Sequence, residues 1–364
     1  MSNAASNPAI GASAKIPAIV LGGTGYVAGE LLRLIAGHPH LQLAGILSDS
    51  QPGESVAKAF GHLAAVYPDV KFSSIEDIEQ LVATLPRTAI LCAAPHGASA
   101  ALIDRILARA EAAGTKPSLV DISADYRFTT NEAYAAVYKH AHGAPHRLSQ
   151  FTCAVPEHLA ASPTPHVAHP GCFATSILLA VTPLLKLGIA TPQFFVSGIT
   201  GSTGSGRKPV EGTHHPLRNS DVYAYNPLGH RHAPEIVACA KAVTGIEAKL
   251  AFVPHSGPFA RGIHATIQAQ LAKPATQAEL LDALTKFYAH SPFVSVSAQP
   301  PRVKDVAGSN YARLSVFTDG NTVAVTSVLD NLNKGAAGGA MQWMNRLLGL
   351  PETAGLTAPA AGWT

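Results

Sequence analysis

Cys172 stands where a cysteine can act as a nucleophile. It follows a Pro-Gly pair and precedes an apolar run at 176–187 whose spacing predicts a helix. Because neither proline nor glycine continues a helix backwards, the helix is expected to begin at or near Cys172. The N–H groups and dipole of a helix start favour the thiolate, which predicts a lowered thiol pKa. The alternative is a buried, unreactive cysteine, which is the interpretation we favour for Cys92 and Cys239.

A glycine-rich turn near the start of the chain is typical of a dinucleotide-binding unit. An apolar run at 17–21 leads into Gly22 and Gly25, and a helical pattern follows as far as residue 35. Glycines let the backbone approach a pyrophosphate, and the helix start supplies N–H donors and a positive dipole end. Ala28, another small residue, takes the third position of the pattern. The alternative to a cofactor turn is a plain tight turn.

The second predicted strand, 41–47, is followed by Ser48, Asp49 and Ser50. In such folds this position holds the adenine ribose of the cofactor. Hydroxyl groups there suit a ribose phosphate and so NADP, whereas an acidic residue favours NAD. The residues therefore indicate a nicotinamide cofactor and leave both forms open.

The order of the predicted elements indicates two domains. Strands alternate with helices as far as residue 122, which predicts a parallel, doubly wound sheet. Beyond about residue 160 the strands are longer, and 311–318 with 322–329 predicts an antiparallel pair. The predicted fold class is α/β, a Rossmann-type dinucleotide-binding domain plus an α+β catalytic and dimerisation domain. The predicted divisions are a disordered tail at 1–14, a dinucleotide-binding domain at 15–162 and 331–364, and a catalytic domain at 163–330.

Composition excludes several classes of protein. The 364 residues are 47% hydrophobic, but no apolar run is long enough to span a membrane. The N-terminus lacks the basic start and apolar middle of a secretory signal. The four cysteines have no C-x-x-C spacing, which favours reduced thiols and the cytoplasm. A net charge of +3 is too small to predict a nucleic-acid partner, although it suits an anionic small substrate.

Several motifs in order give the chain a strong resemblance to a known family. From about residue 18 to 356 it resembles the N-acetyl-gamma-glutamyl-phosphate reductase family of arginine biosynthesis, a relative of aspartate-semialdehyde dehydrogenase. The matching segments include the glycine turn and the Pro-Gly-Cys stretch at Cys172. The others are Pro95-His96-Gly97, the run from Asp121 to Phe128, Val155-Pro156-Glu157, the run from Gly229 to Glu235, Arg261-Gly262-Ile263 and the run from Asp330 to Gly338.

The resemblance implies a reaction. The Cys172 thiolate attacks an acyl phosphate, phosphate leaves, and hydride converts the thioester to an aldehyde. The implied conversion is N-acetyl-L-glutamyl 5-phosphate to N-acetyl-L-glutamate 5-semialdehyde. The implied reductant is NADPH, with NAD not excluded because the family's arginine after the second strand is missing here. The resemblance also implies a homodimer or homotetramer.

The resemblance implies roles for the histidine motif. His230 would transfer the protons, with His232 the alternative, because histidine titrates near neutral pH. Glu235 could orient the imidazole, or it could be an acid favoured by the dipole in the first turn of a helix. The His-x-His spacing also suggests a metal, but no set of cysteines or acids completes a recognisable metal site, so we predict none.

Further positions are predicted to bind the cofactor or the substrate. The candidate cofactor residues are Gly22, Thr24, Gly25, Tyr26, Val27, Ser48, Ser50, Pro95, Ser123 and Asn331. The candidate substrate residues are Ser197, Gly198, Arg207, Arg231, His232 and Arg261, since hydroxyls, backbone N–H groups and guanidinium forks suit phosphate and carboxylate.

Two other functions compete with this one. The segment 201–218 resembles the subgroup acting in lysine biosynthesis, whose aminoadipyl or glutamyl phosphate is carried on an acidic carrier protein. From a different class, a catalytically silent Rossmann protein could sense nicotinamide. An undiminished biological function after Cys172→Ser would favour the sensor.

Overall fold

A computed structural model describes residues 14–362 of the chain. The predicted tail at 1–14 therefore lies outside the described residues, except for its last residue. The strands of the first half are β1 (Ile16–Leu21), β2 (Leu41–Leu47), β3 (Ala89–Cys92), β4 (Ser118–Asp121), β5 (Phe151–Cys153) and β6 (His166–Ala168). The helices between them are α1 (Tyr26–Ala36), α2 (Val56–Ala59), α3 (Ile75–Thr84), α4 (Ser99–Ala113) and α5 (Asn131–Tyr138).

The second half begins with a long helix and continues in longer strands. Its helices are α6 (Cys172–Lys186), α7 (His215–Arg218), α8 (His232–Thr244), α9 (Gln277–Phe287) and α10 (Gly338–Leu347). Its strands are β7 (Ala190–Thr200), β8 (Tyr223–Ala224), β9 (Lys249–Ser256), β10 (Ile263–Leu271), β11 (Val294–Ser297), β12 (Ala312–Thr318) and β13 (Thr322–Leu329). Short 3-10 turns lie at Gly61–Leu63, Pro145–Gln150, Pro156–His158, Ser202–Ser205, Glu211–Thr213 and Val303–Asp305, and a π-helical turn at Asn333–Ala337 precedes α10.

The first sheet is parallel, with the strand order β2-β1-β3-β4-β6-β5. Alternate residues of β1 face different cores: Ala18 and Val20 pack with α1 and α10, whereas Ile19 and Leu21 pack with α3 and α4. Both faces of the sheet are therefore covered, as the nearly continuous apolar strands require. The strand order reverses between β1 and β3, which is where such sheets bind their ligands.

The second sheet is mixed, with the order β11-β12-β13-β10-β7-β9-β8. Its central strands β7, β10, β13 and β12 are antiparallel neighbours, and the pair predicted at 311–318 and 322–329 is confirmed. Helix α6 packs on β10, β13 and β7, and α9 packs on β12 and β11. On the opposite face Phe195 is 53% exposed, whereas its neighbour Phe194 is fully buried. One face of this sheet thus carries the core and the other is open.

The boundary between the domains lies later in the chain than the predicted residue 163. Strand β6, His166–Ala168, is hydrogen-bonded between β4 and β5 and so belongs to the first sheet. The predicted boundary cut this strand off because three residues after a proline-rich segment carry almost no periodic signal. The second domain begins with α6 at Cys172.

The end of the chain returns to the first domain. The side chain of Trp343 is fully buried there, and its indole N–H donates to Ala154 O at 2.7 Å. A buried ion pair fixes the same segment, since Lys334 Nζ lies 2.5 Å from Glu157 Oε1 and both side chains have no exposed surface. Burial opposes ionisation of Glu157, but the Lys334 ammonium and the Gln342 amide outweigh it and lower its pKa to about 2.

We expect Lys334→Met to lower the free energy of unfolding by about 3–5 kcal/mol, because the Glu157 carboxylate loses its buried partner. Combining it with Glu157→Gln should recover much of that loss. Because the pKa of Glu157 is lowered in the fold, the pair's stabilisation is present above the ordinary value of 4.5 and falls as the pH drops towards 2. Denaturant unfolding at several pH values measures this.

The surface variant Lys286→Met removes an exposed lysine that pairs with Asp282 one helical turn away. It should change stability by less than about 0.5 kcal/mol. Equal losses in the two lysine variants would show that the buried pair contributes nothing special.

Candidate active site

The glycine turn between β1 and α1 has the backbone that a dinucleotide requires. Gly22 has φ 83°, and a Cβ there would lie 2.5 Å from Ala94 N, so only glycine fits. Gly25 is the N-cap of α1, and nothing lies within 4 Å of the position where its Cβ would be. No side chain caps α1, so the N–H groups of its first turn remain available to a phosphate.

A cleft of about 1040 Å³ opens beside this turn. It runs past the end of β2 to Lys58 on α2, and the catalytic domain adds Arg207 and Lys208 to its wall. Six predicted cofactor residues line it, namely Gly22, Thr24, Gly25, Ser48, Ser50 and Pro95. The shape and polarity of the cleft fit a dinucleotide.

The remaining predicted cofactor residues lie outside this cleft. Tyr26 and Val27 open α1, and Tyr26 lines a neighbouring depression instead. Ser123 is buried and donates to Asp121 Oδ2 at 2.7 Å. Asn331 accepts from Gly262 N and donates to Thr203 Oγ1, which joins two loops of the catalytic domain. Ser123 and Asn331 thus hold loops in place in this structure.

Cys172 is the first residue of α6, as predicted, with Gly171 as the N-cap. Its side chain is half-buried and lines a second pocket of about 450 Å³. Gly335 lies so close that a Cβ there would be 2.8 Å from Cys172 Cβ. The chain therefore needs a glycine at 335 to let the returning C-terminal segment reach the nucleophile.

The prediction of a lowered thiol pKa is wrong. Burial raises the pKa of Cys172 above its usual value of 9.0. The backbone N–H of Phe173 and the charges of Arg127 and Arg231 oppose that increase, whereas Glu235 adds to it. The helix start acts in the predicted direction, but the loss of solvent around the sulfur is the larger effect.

Glu235 holds the loop before Cys172, and among the described residues it makes no hydrogen bond to an imidazole. It is fully buried in the first turn of α8, and Oε1 accepts from Gly171 N at 2.6 Å. Its Oε2 lies 3.1 Å from Nη1 of Arg127, which also donates to His169 O. The carboxylate therefore ties α8 to the residue before Cys172 and to an arginine of the first domain. The predicted orientation of an imidazole by Glu235 is not seen.

The two histidines lie side by side. His230 and His232 have ring centroids 4.7 Å apart, and both line the pocket with Cys172. His230 Nδ1 accepts from the backbone N–H of His232 at 3.2 Å, so the neutral ring carries its proton on Nε2. Burial and the charge of Arg231 lower the pKa of His230 to about 4, so the ring is neutral at neutral pH.

His232 is placed differently from its neighbour. It packs against the loop before the nucleophile, where a Cβ on Gly171 would collide with its Nε2. Burial lowers its pKa well below the usual value. Within residues 14–362 no group of three histidine, cysteine or acidic side chains is arranged to hold a metal ion.

Of the predicted substrate residues, Arg231 and His232 lie in the pocket of Cys172. Arg207 lines the cofactor cleft instead. Arg261 is held by two carboxylates, with Nη1 2.6 Å from Glu30 and Nε 2.9 Å from Asp330. Ser197 points to the open face of the second sheet, whereas Gly198 packs on the ring of Phe173. The residues that were predicted together as substrate ligands therefore lie in different parts of the structure.

Two residues near the nucleophile were not among the predicted site residues. Arg127 lies in the run from Asp121 to Phe128, which the family resemblance picked out without assigning a role. Tyr225 lines the pocket, and its ring centroid lies 5.6 Å from that of His230. The order of motifs pointed to Arg127, whereas nothing in the spacing around Tyr225 distinguished it from other loop tyrosines.

Comparison with known proteins follows the same division. Residues 17–161 match the family model described as "Semialdehyde dehydrogenase, NAD binding domain", and residues 172–331 match "Semialdehyde dehydrogenase, dimerisation domain". The chain is 38% identical over 348 residues to the N-acetyl-gamma-glutamyl-phosphate reductase of Ectopseudomonas mendocina, covering 94% of this chain and 98% of that one. The protein of that name from Nitrosococcus oceani is 36% identical, with the same coverage.

Solved structures share the fold. Aspartate semialdehyde dehydrogenase II of Vibrio cholerae matches with a TM-score of 0.67 at 15% identity, over 92% of this chain and 98% of that one. A probable aspartate-semialdehyde dehydrogenase of Pseudomonas aeruginosa matches with a TM-score of 0.64 at 19% identity, with the same coverage. The predicted fold class, a nicotinamide-binding α/β domain followed by a mixed-sheet domain, is confirmed.

The raised thiol pKa predicts how alkylation depends on pH. The rate at which iodoacetamide modifies Cys172 should keep rising up to and beyond the ordinary thiol value of 9.0, because only the thiolate reacts. Arg231→Gln should slow the reaction at near-neutral pH, since it removes a charge that favours the thiolate. Mass spectrometry of the peptide containing Cys172 measures the rate.

Arg109→Gln, an exposed arginine on α4, is the control and should leave the alkylation rate unchanged. A rate that levels off near neutral pH would mean that the thiol pKa is low after all.

Glu235→Ala should lower both kcat and stability. The Gly171 N–H and the Arg127 guanidinium lose their buried acceptor, a change that typically costs about 3–5 kcal/mol. Glu235→Gln keeps an oxygen for Gly171 N and should retain more activity. Steady-state kinetics and denaturant unfolding measure both quantities.

Glu132→Ala removes an exposed acid from the first turn of α5 and is the matched control. If it cost as much as Glu235→Ala, then Glu235 would be acting only on the helix dipole.

Proposed function

The chain belongs to the N-acetyl-gamma-glutamyl-phosphate reductase family, and we propose that it reduces N-acetyl-L-glutamyl 5-phosphate to N-acetyl-L-glutamate 5-semialdehyde and phosphate, with NADPH as the reductant. The names of its relatives describe this reductase, and we place the reaction in arginine biosynthesis. The match to the Ectopseudomonas mendocina protein covers 94% of this chain and 98% of that one, so it includes both domains.

The observation that carries the proposal is the position of Cys172. The sulfur lies at a helix start in a pocket that also contains His230, Arg231 and Tyr225. A cysteine with a histidine and a cation around it suits acyl transfer from an activated carboxylate. The glycine turn at Gly22–Gly25 belongs to the domain matched by the NAD-binding model.

Cys172 supplies the nucleophile. A carbon–sulfur bond forms at the acyl carbon, the carbon–oxygen bond to phosphate breaks, and the thiol proton is released as the thioester forms. The bound nicotinamide supplies a hydride. The raised thiol pKa means that the sulfur holds its proton until the substrate is present, when the departing phosphate can accept it.

His230 donates a proton to the substrate oxygen and later accepts it back. Its Nε2–H donates to the acyl oxygen as that oxygen gains charge, and it takes the proton back when the carbon–sulfur bond breaks and the aldehyde leaves. The backbone N–H of His232 keeps the ring in this tautomer, since it occupies Nδ1. We therefore assign the acid–base role to His230 and a packing role to His232.

We assign the binding of phosphate and carboxylate groups to Arg231 and to the loop at 204–205. Arg231 is exposed, and within residues 14–362 no acidic side chain forms an ion pair with it, so its charge is available to phosphate or carboxylate. Gly204 and Ser205 line the same pocket and offer N–H and hydroxyl donors to the leaving phosphate.

The open face of the second sheet supports assembly into a homodimer or a pair of dimers. It exposes Phe195, and the family model that covers this sheet is described as a dimerisation domain. The mechanism also requires Cys172 to stay reduced, which suits the reducing cytoplasm. Within residues 14–362 no helix is long and apolar enough to cross a bilayer.

The reaction run backwards tests the proposal. Purified enzyme with N-acetylglutamate semialdehyde, phosphate and NADP should form NADPH, faster than with NAD and faster than with the aminoadipate analogue. Cys172→Ser should lower kcat by roughly 10³-fold or more without changing NADPH binding. Absorbance of the reduced nicotinamide follows the rate, and fluorescence titration measures the binding.

Cys153→Ala, which changes a cysteine outside the pocket, should retain activity. Full activity of Cys172→Ser would rule out a thioester on this residue.

A further inference from the structure

The cofactor cleft has cations from both domains on its wall. Lys58 belongs to α2 of the first domain, whereas Arg207 and Lys208 belong to the segment that follows the turn Ser202–Ser205 of the second. The sequence predicts Arg207 as a ligand of the acyl substrate. Its position in the cleft, apart from the Cys172 pocket, calls for a different ligand.

Arg207 is held in place by groups that leave its charge uncompensated. Nη1 donates to Thr24 O at 3.1 Å and Nη2 to Ala59 O at 2.8 Å. The guanidinium also lies 5.1 Å from the centre of the Phe60 ring. Backbone carbonyls and a ring orient the fork without neutralising it, and within residues 14–362 no acidic side chain forms an ion pair with it.

The remaining charges on the wall leave an excess of positive charge. Lys58 is paired with Glu54 at 3.2 Å, so it is largely neutralised. Asp49 is the other acid of the lining, against the two cations Arg207 and Lys208. The part of the cleft near the end of β2 therefore carries a net positive charge, despite the acidic residue that argued for NAD.

The position of Arg207 in the cleft indicates which phosphate of the cofactor it would bind. In this fold the turn at Gly22–Gly25 receives the pyrophosphate, and the residues after β2 receive the adenine ribose. Arg207 is bonded to Thr24 O in the turn and to Ala59 O at the end of α2, and it lines the same cleft as the residues that follow β2. The hydroxyls of Ser48 and Ser50 mark the ribose region. No arginine follows β2, so the first domain lacks a strong cation there of its own.

We propose that Arg207 and Lys208, both carried by the catalytic domain, bind the 2′-phosphate of the adenine ribose and so produce a preference for NADPH over NADH. This inference rests on the proposed function only in taking the ligand to be a nicotinamide dinucleotide. A guanidinium fork and an ammonium next to serine hydroxyls form the usual chemistry of a phosphomonoester site. When bound, the cofactor would then be held by both domains at its adenosine end.

The experiment compares binding of NADPH and NADH to the full-length protein by fluorescence titration, without acyl substrate. Arg207→Gln keeps a side-chain donor for the two carbonyls but loses the charge, and Lys208→Gln loses the charge of its neighbour. Each variant should weaken NADPH binding by about 10-fold or more, whereas NADH binding should change by less than about 2-fold. The double variant should bind the two cofactors with nearly equal affinity.

Fragments of the cofactor provide a second readout. Adenosine 2′,5′-bisphosphate should displace NADH from the wild type much better than adenosine 5′-monophosphate, and this advantage should disappear in the double variant. Lys116→Gln is the matched control. Lys116 is exposed and precedes β4, so it lies at the amino ends of the strands, away from the cleft at their carboxyl ends. It should leave every affinity unchanged, and melting temperatures without cofactor should be equal in all variants.

Two outcomes would overturn the inference. Equal losses of NADPH and NADH affinity would place these cations at the pyrophosphate, and unchanged affinities would remove them from the site. A wild-type protein that binds neither dinucleotide would instead overturn the proposed function, so the two failures are distinguishable.

Discussion

The bond between Glu235 and the Gly171 N–H is the constraint on which the active site depends. A cysteine at a helix start has a defined position only if the chain before it is held in place. Neither proline nor glycine has a side chain that forms hydrogen bonds, so a Pro-Gly segment needs a partner from elsewhere in the fold. The carboxylate comes from α8, and Arg127 of the first domain balances its charge. A buried carboxylate without that guanidinium would be costly, and a buried guanidinium without the carboxylate equally so. The loop before Cys172, helix α8 and the first domain are therefore held together by one pair of charges.

The same arrangement explains why burial and reactivity coexist at Cys172. The desolvation that raises the thiol pKa also strengthens the effect of each nearby charge, because the local dielectric constant is low. Arg127 and Arg231 favour the thiolate, and Glu235 opposes it. The negative charge of a substrate phosphate would, like Glu235, oppose the thiolate. Because its pKa is raised, the Cys172 thiol holds its proton at neutral pH, so that proton must leave as any bond to the sulfur forms.

Local sequence predicted those features that depend on neighbours in the chain. The glycine turn, the start of α6 at Cys172 and the antiparallel pair around Asp319 follow from glycine and proline stereochemistry and from alternating apolar residues. The partner of Glu235 and the location of Arg207 depend on contacts across 64 and 183 residues. The sign of the thiol pKa shift at Cys172 depends first on its burial. Burial and tertiary contacts decide these, and a single sequence does not contain them. The family resemblance drew attention to particular segments but did not assign atoms to roles.

The return of the last helix to the first domain has a consequence for synthesis on the ribosome. Ala336, Met341 and Trp343 are part of the core that also contains β1 and α1. More than 300 residues separate these two parts of one core along the chain, so the parallel sheet emerges long before the side chains that complete it. Its unfinished face would have to be shielded by a chaperone or left in a loose, fluctuating state until translation ends. Nascent chains stalled before residue 333 should accordingly be easy targets for proteases, although nearly all of the dinucleotide-binding domain has already been made.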